Sequence, residues 1–394
     1  MIGRRLAVPA GVTVLALALV GCSGAASPGA ASPGAASPGA ASPGAASATA
    51  ASATAAPASA APASAAPASA APASAAPASA ASAAALAALQ AIPTGNESTH
   101  IRIAFFGFAK ANSFAEATYA GIQAYAAAHN ADVTFFDCNF VSATQVAQIQ
   151  DATTAGTYQV FIIQANDGAA VVPAVEAAIA KGIKVVAEFT PVGTRYDTAQ
   201  SQVPGMIYIG DVPTENGKVL ASLGLQACGS LKPCTVAYLQ GFQTLPLDNA
   251  RTQATVAALQ AGGATVISNY VGGYTQDQGR TVGQDLFTAH PDVNVVIGAS
   301  QAIEGLETVI PASLQGKVKL VGNGASEQAV AAVEAGRWFG VFYLPEKAEG
   351  SLSAQLGLSA ARGVSVPMST DAETLFNVYG TKASLGNVTG DYKD

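Results

Sequence analysis

The stretch that decides the fold is YQVFIIQANDGAAVVPAVEAAIAKGIKVVAEF, residues 158–189. Its apolar ends, 158–163 and 183–189, have the composition of β-strands, and residues 169–180 between them have helical spacing. Gly182 marks the turn from the helix into the second strand. A strand, a helix of roughly 10–15 residues and a second strand form a right-handed crossover with parallel strands. This stretch therefore predicts an α/β fold built on a parallel sheet.

The same alternation extends in both directions from this unit. Upstream, apolar segments at 101–106 and 132–136 precede predicted helices at 112–129 and 141–155, and Ser142 is the expected N-cap of the second helix. Downstream, five more strand-helix pairs are predicted: 206–209 with 214–227, 235–239 with 248–261, 264–267 with 276–290, 293–297 with 303–309, and 318–321 with 327–335. Two runs, each long enough for one sheet, predict two doubly wound lobes that bind ligand beyond the carboxyl ends of their strands.

The chain begins with the pattern of a secretory signal. Arg4 and Arg5 precede an apolar stretch that ends in Leu19-Val-Gly-Cys22. That stretch is shorter than the ~20 residues of a transmembrane helix. We expect residues 1–21 to be a signal peptide and Cys22 to be lipidated, which would anchor the protein on the outer face of the cell membrane. A plain signal peptide with an incidental cysteine is the alternative.

A low-complexity segment follows Cys22. Tandem Ala-Ser-Pro-Gly-Ala and Ala-Pro-Ala-Ser-Ala units occupy most of residues 26–80, without a charged or aromatic side chain. Such a composition cannot bury enough apolar surface to offset the entropy of the chain. We expect a disordered tether over 22–97, with a short helix at 83–91 before Pro93.

The composition of the chain limits the classes of molecule that the protein can bind. The hydrophobic fraction of 50% is inflated by alanine in the tether, and the formal net charge is −7. An acidic chain without a basic cluster argues against nucleic-acid binding. The residues beyond 97 are enough for two domains of ordinary size.

The remaining cysteines indicate an oxidising compartment. Cys228 and Cys234 flank Gly-Ser-Leu-Lys-Pro, and in an exported protein such a pair predicts a disulfide. A metal site is the alternative reading, although no histidine lies nearby. Cys138 is then unpaired, and we expect it to be buried at a strand end.

Catalytic patterns are weak throughout the chain. The three histidines have no metal-ligand spacing, and the carboxylates are scattered singly. Glu188 stands inside an apolar strand, where it is either an edge residue that faces water or an acceptor in a cleft. We expect no catalytic residue, no metal and no cofactor, so an enzyme is the least favoured class.

From His100 to about Gly363 the chain resembles the periplasmic sugar-binding proteins of ABC importers, of the ribose- and galactose-binding type. The resemblance lies in residues 145–151, 169–186, 289–293, 321–326 and 335–338, in that order. It implies a type I periplasmic binding fold, with hinge crossings near 208–211, 342–345 and 364–367. The first lobe would comprise 98–207 with 345–364, and the second 208–344 with 365–390. The same fold forms the core of lactose-repressor-like proteins. No helix-turn-helix precedes the first strand of this chain and we expect the chain to be exported, which excludes the repressor branch.

The resemblance also implies a ligand pocket, although its charged sugar anchors are replaced. Asn112 and Phe114 match a hydroxyl partner and a stacking ring, whereas Asn249 stands where the family has an arginine. Arg251 is expected to be structural. The expected ligand-binding residues are Asn112, Phe114, Asn166, Phe189, Thr190, Asp248, Asn249, Ser300, Gln301, Asn323 and Tyr343. Mostly neutral partners suit a less hydroxylated or partly apolar ligand, or a sugar held by neutral amides.

The function that the resemblance implies is solute binding outside the cytoplasm. A lipid-anchored monomer would capture a small molecule, most simply a sugar or polyol, and deliver it to the membrane permease of an ABC importer. The alternative is a ligand sensor or scaffold that presents its closed form to a membrane receptor.

Overall fold

A computed structural model describes residues 80–376 and 378–394 of the protein. The predicted signal peptide, the lipidation of Cys22 and the repeats up to residue 79 lie outside these residues and stay predictions. No helix in the described part of the chain is long and apolar enough to cross a membrane.

The first lobe is a parallel sheet with helices on both faces. Its strands are β1 (Ile101–Gly107), β2 (Ala131–Asp137), β3 (Val160–Ile163), β4 (Lys184–Phe189), β5 (Ile207–Gly210) and β11 (Ser369–Asp371), in the order β11-β5-β4-β3-β1-β2. Its helices are α2 (Ser113–Ala128), α3 (Ser142–Ala155), α4 (Val172–Ala180) and α10 (Glu346–Ala361). Phe105 and Ile162 pack on one face of the sheet, and Phe106 and Phe161 pack on the other. Burial of both faces explains why the strands are continuous apolar runs.

The second lobe repeats this architecture. Its strands are β6 (Thr235–Gln240), β7 (Thr265–Val271), β8 (Val295–Ala299), β9 (Lys319–Asn323), β10 (Gly340–Tyr343) and β12 (Val378–Thr381), in the order β12-β10-β9-β8-β6-β7. Strand β12 is antiparallel to β10, and the other pairs are parallel. Its helices are α5 (Pro213–Cys228), α6 (Pro246–Ala261), α7 (Gln276–Ala289), α8 (Ser300–Glu307) and α9 (Glu327–Glu334). The two doubly wound lobes predicted from the sequence are confirmed.

The chain passes between the lobes at three places. The first crossing follows β5 and the second follows β10, close to the predicted hinge positions. The third differs from the prediction, because β11 pairs with β5 in the first sheet and the chain crosses only after α11 (Ala372–Phe376). Residues 208–210 and 369–371 therefore belong to the first lobe, whereas the sequence had assigned them to the second. Strand β11 is the short polar triplet Ser-Thr-Asp, which carries no apolar signal.

The end of the expected tether is part of the folded unit. Helix α1 (Ala80–Gln90) contains the predicted short helix, and Leu86 and Leu89 pack against the core of the first lobe. The Nε2 of Gln355 donates to the carbonyl oxygens of Leu89, Gln90 and Ile92, at 3.1, 3.1 and 2.9 Å. The prediction of a disordered tether over 22–97 is thus wrong for residues 80–97. Apolar side chains of α1 pack against the core, and Gln355 of α10 forms hydrogen bonds with the carbonyl groups at the end of α1.

The N-cap of α3 differs from expectation, whereas the positions of the cysteines agree with it. Ser142 is the first residue of α3, and Val141 takes the cap position without a side-chain bond. The sulfur atoms of Cys228 and Cys234 lie 2.02 Å apart, whereas Cys138 is buried and unpaired.

Candidate functional site

A cavity lies between the two lobes, at the carboxyl ends of both sheets. About 430 Å³ of space free of protein atoms, open solvent included, is lined from both sides of the cleft. The lining residues are Phe108, Asn112, Phe114, Phe140 and Phe189 of the first lobe, Leu245, Leu247, Arg251, Tyr274, Gln301 and Asn323 of the second, and Leu344 at a crossing.

The wall supplied by the first lobe is aromatic. The ring of Phe189 packs edge-on against Phe114 and Phe108, at centroid distances of 4.8 and 6.3 Å. Phe140 and Phe189 have φ angles of 59° and 61°, in the left-handed region that bulky side chains rarely adopt. Such conformations cost about 1–3 kcal/mol each and concentrate at functional sites. The backbone strain thus accompanies two rings that line the cavity.

The lobes contact each other across the cavity. The Phe140 ring lies 5.1 Å from Phe242 and 5.9 Å from Tyr274 of the second lobe. The Nε2 of Gln301 donates to the Oγ of Ser113 across the cleft, at 3.1 Å. These contacts need the lobes to be closed, so the structure represents a closed arrangement.

The charge at the cavity comes from Arg251 on α6. Its Nη1 lies 3.2 Å from the Oδ1 of Asp248, and both side chains are almost fully buried. The Nε and Nη2 of Arg251 are buried without a hydrogen-bond partner among the described residues. Burial raises the pKa of Asp248, while Arg251 and the hydroxyl of Tyr274 favour the carboxylate and oppose that shift. Two nitrogen atoms of the guanidinium are therefore left without a hydrogen-bond partner among the described residues.

The structure brings part of the predicted site together. Asn112, Phe114, Phe189, Gln301 and Asn323 line the cavity, and their contact with a ligand stays a prediction. The other predicted residues do not line it: Asn166, Thr190, Asp248, Asn249, Ser300 and Tyr343.

Each of those six side chains has a different setting. Asn166 donates to the Sγ of Cys138, and Asn249 donates to the backbone oxygen of Gln243. Asp248 lies behind Arg251, and Tyr343 lines a separate cavity at the hinge. Thr190 and Ser300 are buried, and neither hydroxyl has a hydrogen-bond partner among the described residues.

Sequence reasoning missed several lining residues. Arg251 was expected to be structural, and Asn249 was favoured instead. Asp248 and Arg251 are three positions apart and share one face of α6, so Arg251 reaches the cavity with Asp248 paired behind it. Phe108 and Phe140 directly follow the β1 and β2 region at the carboxyl edge, a signal that could have identified them.

A second group of polar side chains is sealed at the hinge. Glu188, Asp211, Glu346 and Glu349 are at most 1% exposed, and each has at least one carboxyl oxygen without a hydrogen-bond partner in the described part of the chain. Burial raises the pKa of Glu188 to about 8 and that of Asp211 to about 7. Burial also raises the pKa of Glu346 and of Glu349 well above the ordinary value. Glu188 thus neither faces water nor lines the cleft cavity, so both readings of its sequence context are corrected.

Within the part of the chain that the structure describes, no group of three or more His, Cys, Asp or Glu side chains is arranged to hold a metal ion. The hinge carboxyls therefore form a compact acidic group without the geometry of a metal centre.

Residues 103–364 match the family described as periplasmic binding protein domain. A curated D-ribose/D-allose-binding protein of Pseudomonas aeruginosa is 26% identical over 186 residues, which is 46% of this chain and 56% of that protein. The chain thus aligns with only about half the length of this relative.

Solved structures share the fold. An ABC transporter solute-binding protein from Mycobacterium smegmatis with bound glycerol is 24% identical, with a TM-score of 0.64 over 75% of this chain and 100% of that one. A periplasmic solute-binding protein from Actinobacillus succinogenes with bound D-allose is 18% identical, with a TM-score of 0.62 over 73% of this chain and 100% of that one. At these identities the likeness establishes the fold alone.

Proposed function

The chain belongs to the periplasmic binding protein domain family, and on that premise we propose that it captures a small solute between its lobes for an ABC importer. The observation that carries this proposal is the cavity lined by both lobes, with unpartnered donor atoms of Arg251 beside it. Glycerol and D-allose, bound in proteins of the same fold, make a sugar or polyol the class of solute to test first.

The mechanism is closure about the hinge. A ligand that contacts Phe189 on one lobe and Arg251 on the other can make both sets of contacts only when the lobes are closed. It therefore shifts the population toward the closed state by its differential affinity for that state. The closed form is then the one that the permease recognises. This role needs binding and release, without a chemical step.

The first experiment is thermal unfolding of the exported protein with D-ribose, D-allose, myo-inositol and glycerol. A ligand at 100 times its dissociation constant stabilises the folded state by ~2.7 kcal/mol, which raises the melting temperature by a few degrees. A shift with one of these compounds supports capture of that class. If neither these nor other small solutes change the melting temperature, solute capture is refuted.

We also propose that Cys22 is lipidated and places the protein on the outer face of the cell membrane. The support is the sequence Leu19-Val-Gly-Cys22 after a basic and apolar start. Metabolic labelling with an alkyne fatty acid tests this, with Cys22→Ser as the matched variant. Labelling of the wild type alone supports the anchor, and equal labelling of both proteins contradicts it.

A further proposal concerns Cys228 and Cys234, whose sulfur atoms lie 2.02 Å apart. In the secreted protein we expect neither residue to react with a thiol reagent until a reductant is added. Alkylation of either cysteine without reductant would contradict the disulfide.

A further inference from the structure

The polar groups that face the cleft cavity are mostly hydrogen-bond donors. The Nε and Nη2 of Arg251 have no partner in the described chain, although the residue is only 5% exposed. A buried donor without a partner costs about 1–3 kcal/mol, more for a charged group. Because Arg251 lines the cavity, a small turn of its side chain toward a ligand acceptor would remove this cost.

The amides of the cavity add to the excess of donors. The Oδ1 of Asn112 accepts from the backbone N–H of Ala115, at 3.0 Å. The Oδ1 of Asn323 accepts from the Nδ2 of Asn216, at 3.2 Å. Each amide oxygen already accepts one hydrogen bond, whereas the Nδ2 groups of Asn112 and Asn323 donate to no described residue, so each side chain offers a ligand two donors and one remaining acceptor site.

Acceptors are scarce in the same cavity. The oxygens of Asp248 already accept from the Nη1 of Arg251, the hydroxyl of Tyr274 and the backbone N–H of Phe242. The amide of Gln301 has the opposite orientation, because its Nε2 donates to Ser113. Its Oε1 is left as an acceptor for a ligand.

A polyhydroxylated sugar does not suit such a set of partners. Every hydroxyl donates as well as accepts, and several hydroxyls would face Phe108, Phe114 and Phe140 without an acceptor. We propose that the cavity takes a ring compound with an apolar body and one acceptor-only group, a carbonyl or a carboxylate, directed at Arg251. This inference rests on the proposed capture of a solute and names a different class of solute for it.

The test uses three compounds that share a six-carbon ring. Cyclohexanone carries a carbonyl, cyclohexanecarboxylate carries a carboxylate, and myo-inositol carries a hydroxyl on every carbon. Their affinities for the exported full chain are measured by titration calorimetry. We expect at least one of the first two to bind at least tenfold more tightly than myo-inositol.

Substitutions in the protein test whether Arg251 and Asn323 bind the acceptor group of the ligand. Arg251→Lys keeps the positive charge next to Asp248 and removes the planar donor pair, so the preferred probe should bind about tenfold more weakly. Asn323→Leu removes an amide donor without touching the ion pair, and should also weaken that probe if Arg251→Lys folds poorly. Arg337→Lys is the control, since Arg337 is exposed and pairs with Glu307 outside the cavity. It should leave the affinity unchanged.

The outcomes separate the two proposals. Equal or tighter binding of myo-inositol, D-ribose or D-allose would overturn the acceptor-only ligand and leave solute capture intact. Probe binding that neither Arg251→Lys nor Asn323→Leu weakens would also overturn the assignment. If none of these compounds and no member of a wider solute panel binds, solute capture itself fails.

Discussion

Two regions of the molecule bury polar atoms that have no hydrogen-bond partner among the described residues. The free-energy cost of this burial is relieved in a different way in each region. At the cleft, the unpartnered atoms are buried donors of Arg251, a residue that lines the cavity. At the hinge, they are carboxyl oxygens of residues such as Glu188 and Glu349, which are fully buried. A donor on a residue that lines the ligand cavity can be satisfied by a ligand, whereas a buried carboxyl avoids the cost of an unpaired charge by keeping its proton.

The chemistry of the groups explains this difference. A guanidinium stays charged at any physiological pH, so Arg251 needs acceptors. A carboxyl group that burial deprives of water becomes neutral instead, and its pKa rises. The cleft is therefore predicted to respond to ligands, and the hinge is predicted to respond to pH.

The largest expected effect comes from breaking the ion pair at the cleft. Arg251→Met leaves the buried Asp248 without its cation, and loss of one partner of a buried pair costs about 3–5 kcal/mol. Chemical denaturation measures this loss. Arg280→Met is the matched control, because Arg280 and Asp277 form an exposed pair, for which about 0–1 kcal/mol is expected. Equal losses in the two variants would contradict the buried pair.

The next effect is the pH dependence of stability. The folded-state pKa values of Glu188 and Asp211, about 8 and about 7, lie above those of the unfolded chain. The folded state then holds more protons, so its free energy of unfolding falls as pH rises from about 5 to about 8. We expect a loss of several kcal/mol over this window. Denaturation at several pH values measures it, and a stability that rises with pH would contradict the account.

Several groups other than the buried carboxyls of β4 and α10 act on this titration. Asp371 and Glu373 face the hinge from β11 and α11, Asp391 acts on Glu346, and Arg251 lowers the pKa of Asp211. Burial raises the pKa of Glu373 to about 8, so it adds to the loss of stability in the same direction.

A single substitution tests whether the pH dependence of stability arises from the carboxyl groups at the hinge. Glu188→Gln replaces a carboxyl that must stay protonated with a neutral group of similar shape. At pH 8 it should stabilise the protein by about 1–3 kcal/mol and flatten the pH profile. Glu334→Gln, at an exposed position of α9, should change neither. Destabilisation of the Glu188→Gln variant at pH 8 would show that the ionised carboxylate is needed.

The smallest expected effect concerns the contact between the lobes. Phe242→Leu removes the ring contact with Phe140 across the cleft, which is worth about 0.5–1.5 kcal/mol, and a ring contact with Tyr274 within the second lobe. The ligand-free protein should then open further, which small-angle scattering detects as a larger radius of gyration. Tyr270→Leu should not change the radius of gyration, because the Tyr270 ring packs on His290 within the second lobe. No difference between the variants would show that these rings do not hold the lobes together.

The sequence predicted strands β1 to β9 because most of them are buried apolar runs, and it did not predict β10, β11 or β12. Strand β3 is fully buried, and its pattern is readable from residues 158–163 alone. The elements near the carboxyl end were harder to predict. Strand β11 is a polar triplet, and the buried face of α10 includes Glu346 and Glu349, which read as surface residues.

The site was predicted less well than the fold. Phe189 and Asn323 follow from the rule that ligands bind at carboxyl strand ends. The choice between Asn249 and Arg251 depends on the rotation of α6, which the spacing of apolar residues leaves undetermined. The docking of α1 was missed because Leu86 and Leu89 stand in an alanine-rich segment that otherwise resembles the repeats before it.

The most direct test of the central claim is to measure the affinity of the tightest-binding solute for two variants, one on each wall of the cleft. Phe189→Leu changes the aromatic wall of the first lobe, and Arg251→Lys changes the donor group of the second. If one ligand is held between the lobes, each substitution should weaken binding by about tenfold, which is 1.4 kcal/mol. Wild-type affinity in both variants, with the fold intact, would contradict capture in this cleft.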